Sequence, residues 1–147
     1  MRALPELERA ISEASPRSDA RLVAEQLLEI GEEILEHWIV ARNETPTLAV
    51  REGFRLLALH RQGAKGYPSF NACRETCREV VYHFNLVTAD PEHPRTVERL
   101  EMMGMLCNHL FLFVSGKLEV AGLGDFCCSA RPLRQGLDLE PKVGREV

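Results

Sequence analysis

The chain has 147 residues, of which 45% are apolar, 27% charged and 6% aromatic, and this length suits one domain with a core of ordinary size. Lys and Arg number 18 against 22 Asp and Glu, so the net charge of −4 argues against general binding to nucleic acid or to an anionic membrane. Gly and Pro are near their average usage, which excludes collagen-like and low-complexity classes.

The start of the chain and its most apolar segment both bear on location. No apolar run follows Arg2, so the N-terminus does not have the pattern of a secretory signal. The most apolar stretch, residues 102–114, is shorter than the roughly 20 apolar residues that a helix needs to cross a bilayer. We therefore expect a cytoplasmic protein without a membrane partner.

The first half of the chain predicts two helices. Apolar spacing over residues 3–14 indicates a short amphipathic helix that ends before Ser15 and Pro16. Asp19 offers an N-cap to a long helix that runs to about Arg42. The apolar stripe of this helix repeats every three or four residues: Val23, Leu27, Ile30, Ile34 and Trp38.

Thr45 and Pro46 predict the start of the next helix, because proline is favoured at the first helical position. This helix should end near Gly63. Ser69 is the predicted cap of the following long helix. Its apolar stripe consists of Phe70, Cys73, Cys77, Val80, Val81 and Phe84.

The last predicted helix covers about Thr96 to Ser115, with Gly116 as its stop. Beyond it, glycines and prolines break every periodicity, so residues 121–147 are expected to be an irregular arm or tail. The predicted fold is all-α, an antiparallel bundle of four long helices with a short N-terminal helix. The bundle domain covers residues 1–120.

Five cysteines raise the question of a metal site: Cys73, Cys77, Cys107, Cys127 and Cys128. Without an export signal they are expected to be thiols or metal ligands rather than disulfides. Four thiolates could hold zinc or an iron–sulfur cluster, and two could form a redox pair. However, Cys77 and Cys107 lie at the centres of apolar stripes, where cysteine is usually a buried hydrophobe. Packing is therefore the favoured interpretation, and no cofactor is expected.

Acidic residues on the second helix form overlapping Glu-x-x-Glu spacings: Glu29, Glu32, Glu33 and Glu36. Magnesium-dependent nucleotide pyrophosphohydrolases of all-α type use this spacing, followed by Glu-x-x-Asp, to hold metal around a triphosphate. The second element is missing, because Glu75 and Glu79 are four apart and no Asp follows. A solvated helix face is the favoured interpretation, and the hydrolase remains a third alternative.

Two Glu/His pairs, Glu33 with His37 and Glu79 with His83, have a spacing of four residues. Di-metal sites in helical bundles use a spacing of three with all ligands directed inward. The helical phase instead places Glu79 and His83 toward solvent. A di-metal site is therefore not expected.

Basic residues flank the glycines of the loop after the third predicted helix. Arg61 and Lys65 lie beside Gly63 and Gly66, ahead of the helix predicted to begin near Ser69. Exposed N–H groups and the helix dipole favour an anion at such a position. The loop lacks the P-loop pattern, and an ordinary helix–helix turn is the favoured alternative.

The last helix is apolar on nearly all sides. The face opposite Cys107 carries apolar residues interrupted by two polar ones: Met102, Met105, Asn108, His109, Leu112 and Phe113. Such a helix is either central in its domain or shared with a partner. Self-association is the favoured interpretation, because methionine and aromatic side chains are enriched at interfaces. Coverage by the C-terminal arm, and a ligand pocket with His109, remain alternatives.

Together these patterns predict a small cytoplasmic accessory or interaction protein without catalytic machinery, forming a homodimer or binding another protein. The competing class is a bundle that binds a metal or a small ligand through the inward cysteines or His109. No nucleic-acid partner is expected, because the arginines of the third helix are not interleaved with aromatic residues.

Overall fold

The computed structural model describes residues 1–65 and 73–122. These ranges contain no β-strand and five α-helices, which are α1 (Leu4–Glu13), α2 (Ala20–Ala41), α3 (Arg55–Ala64), α4 (Arg74–Ala89) and α5 (Thr96–Ala121). The predicted all-α bundle with a short N-terminal helix is confirmed. From residue 123 onward the predicted C-terminal arm lies outside the described residues.

Helix α2 is the centre of the bundle and packs against each of the other four helices. The Asp19 carboxylate accepts a hydrogen bond from the backbone N–H of Leu22 at 3.0 Å, which confirms the predicted N-cap. The predicted apolar stripe is buried throughout. Gly31 also lies within this stripe, and a β-carbon there would stand 3.4 Å from Leu56 of α3, an ordinary van der Waals distance, so α3 packs against α2 at this position.

The predicted start of the third helix at Thr45 and Pro46 is wrong. Helix α3 begins only at Arg55, after a tight turn in which Arg51 and Phe54 exchange two backbone hydrogen bonds of 3.0 Å. Glu52 and Gly53 in this turn have φ values of 54° and 85°, which interrupt any α-helix.

The segment before this turn is held in place by polar side chains of α3. The Thr47 backbone N–H donates to Gln62 Oε1, and Arg55 Nε donates to the Thr47 carbonyl, both at 2.8 Å. These bonds satisfy both the N–H and the carbonyl group of Thr47 in an extended segment. As a result, α3 has 10 residues and is shorter than predicted.

Specific contacts fix the helix directions. Gly31 lies beside Leu56, and Trp38 Nε1 donates to the Gly63 carbonyl at 3.2 Å, so α3 runs in the same direction as α2. Arg21 near the start of α2 donates to the carbonyl of Thr88 near the end of α4 at 3.2 Å. Helix α4 is therefore antiparallel to α2.

The ends of α4 and α5 differ from the predicted ones. Helix α4 begins at Arg74, and the predicted cap Ser69 lies outside the described residues. Helix α5 continues past Gly116, which is buried within it, and stops at Gly122 with φ 70°. The left-handed conformation that terminates a helix occurs at Gly122, and Gly116 remains helical because buried Leu118 continues the core stripe. Among the described helices none combines the length and apolarity needed to cross a membrane.

Candidate functional site

The predicted cysteine cluster lies in the core. Cys73, Cys77 and Cys107 are buried free thiols, and burial raises the pKa of Cys73 and of Cys107 to about 12. The pKa of Cys77 is raised as well, chiefly by burial and further by the other two thiols. Thiols whose pKa lies this high are poor nucleophiles at neutral pH.

The metal alternative involves some cysteines inside the described ranges and two outside them. Cys127 and Cys128 lie outside them. Within the described part of the chain, no group of three His, Cys, Asp or Glu side chains is arranged to hold a metal ion. The Cys107 thiol instead donates to the carbonyl of Leu27 at 3.3 Å, which ties α5 to α2.

The acidic residues of α2 line a shallow depression of about 490 Å³ between the N-terminus and α3. Arg55 Nη1 lies 2.6 Å from Glu36 Oε2 and 3.8 Å from Glu32 Oε1. Burial raises the pKa of Glu32, and the nearby Arg55 guanidinium partly opposes this rise. Because these carboxylates are half-buried and paired, their interpretation as a merely solvated face is incomplete.

Glu33 forms the strongest polar link between the N-terminus and α2. Its carboxylate accepts hydrogen bonds from Arg2 Nη2 and from the Arg2 backbone N–H, both at 2.8 Å. These bonds outweigh desolvation and lower the pKa of Glu33. The Arg2 carbonyl also contacts His37 Nε2 at 2.6 Å. Glu33 and His37 therefore fix the chain ahead of α1.

Replacing Glu33 with glutamine should lower the free energy of unfolding by about 1–2 kcal/mol at pH 7. Because the pKa of Glu33 is lower in the folded chain, its stabilisation is present above the ordinary carboxyl pKa and is lost as pH falls through the lowered value. The difference between wild type and variant should therefore be smaller at pH 3 than at pH 7. Urea unfolding at both pH values measures it.

The matched control is Glu29→Gln, because Glu29 is exposed and forms no ion pair within the described ranges. It should change stability by less than about 0.5 kcal/mol at either pH. An equal loss at pH 7 and pH 3 for Glu33→Gln would contradict the ionic origin of the effect.

In the second Glu/His pair, Glu79 faces solvent as predicted, whereas His83 is half-buried. Glu79 is exposed, and His83 Nδ1 contacts the Glu79 carbonyl, one turn earlier in the same helix, at 2.9 Å. The His83 ring also stacks edge-on against Tyr82 with centroids 5.3 Å apart. These contacts are local to α4.

The exposed side of α5 carries most of the predicted interface residues. We call it the outer face, and it consists of Met102, Met105, Asn108, His109 and Leu112. Met105 is 66% exposed, and Met102 and Leu112 are each 38% exposed. Asn108 and His109 are exposed between them. Phe113 differs from the prediction, because it is half-buried and packs against the core.

A second surface lies where the start of α4 meets the end of α3. We call it the basic cleft, a hollow of about 130 Å³ whose lining includes His60, Leu57 and four arginines. The arginines are Arg51, Arg61, Arg74 and Arg78. The predicted anion residue Arg61 belongs to it. Lys65 is exposed and is not part of its lining, and the predicted helix start near Ser69 lies outside the described residues.

The arginines of the basic cleft are only partly neutralised. Arg78 Nη2 donates to Glu52 Oε1 at 2.7 Å, and Arg74 Nη1 lies 3.0 Å from Glu75 Oε2. Arg51 and Arg61 form no ion pair with any residue that the structure describes. Sequence reasoning missed Arg51, Arg74 and Arg78, because only the turn before α3 and the packing of α4 bring them beside Arg61.

Neither protein-family models, nor curated proteins, nor solved structures give a match to the chain.

Proposed function

We propose that this chain is an accessory protein without catalytic activity of its own, which works by self-association through the outer face of α5. The exposure of Met102, Met105 and Leu112 carries the proposal. Fully burying a methionine or leucine side chain stabilises by about 1.5–3 kcal/mol, so an apolar group of this kind favours a partner over water. Methionine adapts its shape to a facing surface and is common at interfaces.

The spacing of the outer face favours a second copy as the partner. Residues 102, 105, 109 and 112 are symmetric about position 107. If two α5 helices cross antiparallel about a two-fold axis at that position, Met102 meets Leu112 of the second copy. Met105 then meets His109 of the second copy. An isologous interface requires this self-complementarity.

Polar groups near the proposed axis fit the same arrangement. The Asn108 side chain contains both donors and an acceptor, so it can pair with an identical group in the second copy. Three apolar side chains supply only the centre of an interface, because a standard one buries about 800 Å² per partner. We therefore expect a weak dimer that forms with rising concentration.

The location that we propose is cytoplasmic. Three free buried thiols in the described ranges are compatible with a reducing compartment.

Replacing Met105 with glutamate should weaken dimerisation at least about tenfold, because a carboxylate buried at the interface loses its hydration without gaining a partner. The monomer should keep its helical content, since the Met105 side chain is 66% exposed. Sedimentation equilibrium from about 1 to 300 μM, with circular dichroism of the same samples, measures both quantities.

Val40→Glu is the matched control, because Val40 is 44% exposed on α2 and does not belong to the outer face. This variant should dimerise like the wild type. A wild-type chain that stays monomeric at every concentration would refute self-association. Removing residues 123–147 would then test the arm as the cover of the outer face, since exposing that face should make the shortened chain associate.

A further inference from the structure

The basic cleft carries more positive charge than its structural contacts use. Four guanidinium groups line it, and ion pairs with Glu52 and Glu75 neutralise two of them. Among the residues that the structure describes, Arg51 and Arg61 leave an excess of about two positive charges. Like charges brought together in one cleft lower the stability of the folded chain unless an anion joins them.

The size and chemistry of the cleft select the anion. At about 130 Å³ it is smaller than the roughly 300–1,000 Å³ typical of pockets that enclose a whole ligand, so it suits a single anionic group. A phosphate monoester carries about −1.5 to −2 charges, which matches the excess of two better than the single charge of a carboxylate. The planar guanidinium group also binds phosphate oxygens in pairs.

The cleft is formed by rigid parts of the chain. Arg51 comes directly before the tight turn that its backbone closes with Phe54. Arg61 lies on α3, whose end is fixed to α2 by hydrogen bonds from Trp38 and Arg42 to the Gly63 carbonyl. Arg74 and Arg78 are one helical turn apart on α4. These anchors fix the backbone that carries the arginines without a ligand, which reduces the entropy lost on binding.

We propose that the basic cleft binds the phosphate group of a small soluble phosphomonoester, with Arg51 and Arg61 as its principal ligands. The rest of such a molecule would extend from the open side of the cleft. A nucleic acid is disfavoured as the ligand, because the chain has a net charge of −4 and the described residues that line the cleft include no phenylalanine, tyrosine or tryptophan for base stacking. This inference is independent of self-association.

Calorimetric titration with glycerol 3-phosphate and with inorganic phosphate, at low ionic strength, tests the proposal. We expect saturable binding and a rise in melting temperature of about 2–5 °C at tenfold excess over Kd. Arg61→Gln and Arg51→Gln should each weaken binding about tenfold or more, because each removes charge-assisted hydrogen bonds. Neither side chain forms an ion pair with a residue that the structure describes, so the variants should fold.

Two controls separate this site from other surfaces. Arg9→Gln removes an exposed arginine of α1 and should bind like the wild type. Met105→Glu should also bind normally, because the outer face is not part of the cleft. Because Arg61→Gln relieves repulsion between like charges, this variant should melt no lower than the wild type when no ligand is present. That result would exclude a structural side effect of the substitution.

Three results would overturn the proposal. The first is the absence of binding by either phosphate compound at 10 mM, a concentration that would still reveal a weak dissociation constant of about 1–10 mM. The second is equal binding by wild type and by both arginine variants. The third is binding only to vesicles that contain phosphatidic acid, which would assign the cleft to a lipid surface.

Discussion

Replacing Trp38 with alanine should lower the free energy of unfolding by about 3–5 kcal/mol, the largest effect that we expect from a single substitution. Trp38 of α2 is fully buried, and its indole N–H donates to the carbonyl of Gly63 in α3 at 3.2 Å. The Arg42 guanidinium lies 5.7 Å from its ring centroid. Alanine would leave a cavity and would remove the anchor at the end of α3.

Trp38→Phe is the matched comparison, because it keeps an aromatic ring and removes the indole N–H. The Gly63 carbonyl would still accept from Arg42 Nη1 at 2.9 Å, so we expect a loss of about 1–2 kcal/mol. Urea unfolding of the three chains measures the difference. An alanine variant within about 1 kcal/mol of the wild type would contradict the role of Trp38 as the link between α2 and α3.

Replacing Cys77 with serine should lower the free energy of unfolding by about 1–3 kcal/mol, because a hydroxyl is buried there without a partner. Cys77 is fully buried, and its thiol forms no hydrogen bond with any residue that the structure describes. Cys107→Ser should cost less. Its hydroxyl would replace the thiol as donor to the Leu27 carbonyl, 3.3 Å from the sulfur.

The test is therefore which of the two serine variants loses more free energy of unfolding. Cys77→Ala is the control for lost volume alone. Unfolding in urea under reducing conditions gives all three values. If Cys107→Ser proved costlier than Cys77→Ser, the Leu27 carbonyl would not act as the acceptor. Stoichiometric zinc or iron in the purified wild type, released by thiol modification, would contradict the assignment of these cysteines to the core.

The helices with long apolar stripes could be predicted from sequence. In α2 the stripe and the Asp19 cap act locally, and both occur where the pattern placed them. Cys77 and Cys107 were likewise placed in the core from helical phase alone. The exposure of Met102, Met105 and Leu112 followed from the same reasoning, because one helix cannot bury both of its faces in a small bundle.

The errors arose where distant residues decide the backbone. Thr45 and Pro46 have the local pattern of a helix start, but Gln62 and Arg55 bind the Thr47 backbone in an extended segment. Gly116 is a residue type that often ends helices, but here it stays helical and is buried in α5. The basic cleft was missed for a similar reason, because its arginines come from three segments whose approach only tertiary packing determines.

The hydrogen bond between Cys107 and Leu27 has a consequence for how the bundle opens. It joins residues 80 positions apart, whereas α4 and α5 are neighbours in the chain, linked by residues 90–95. Contacts between close segments form with a smaller loss of chain entropy than contacts between distant ones. The α4–α5 pair should therefore assemble first and stay packed when the bundle partly unfolds. The rate at which a thiol reagent labels Cys107 would then measure how fast α2 separates from that pair.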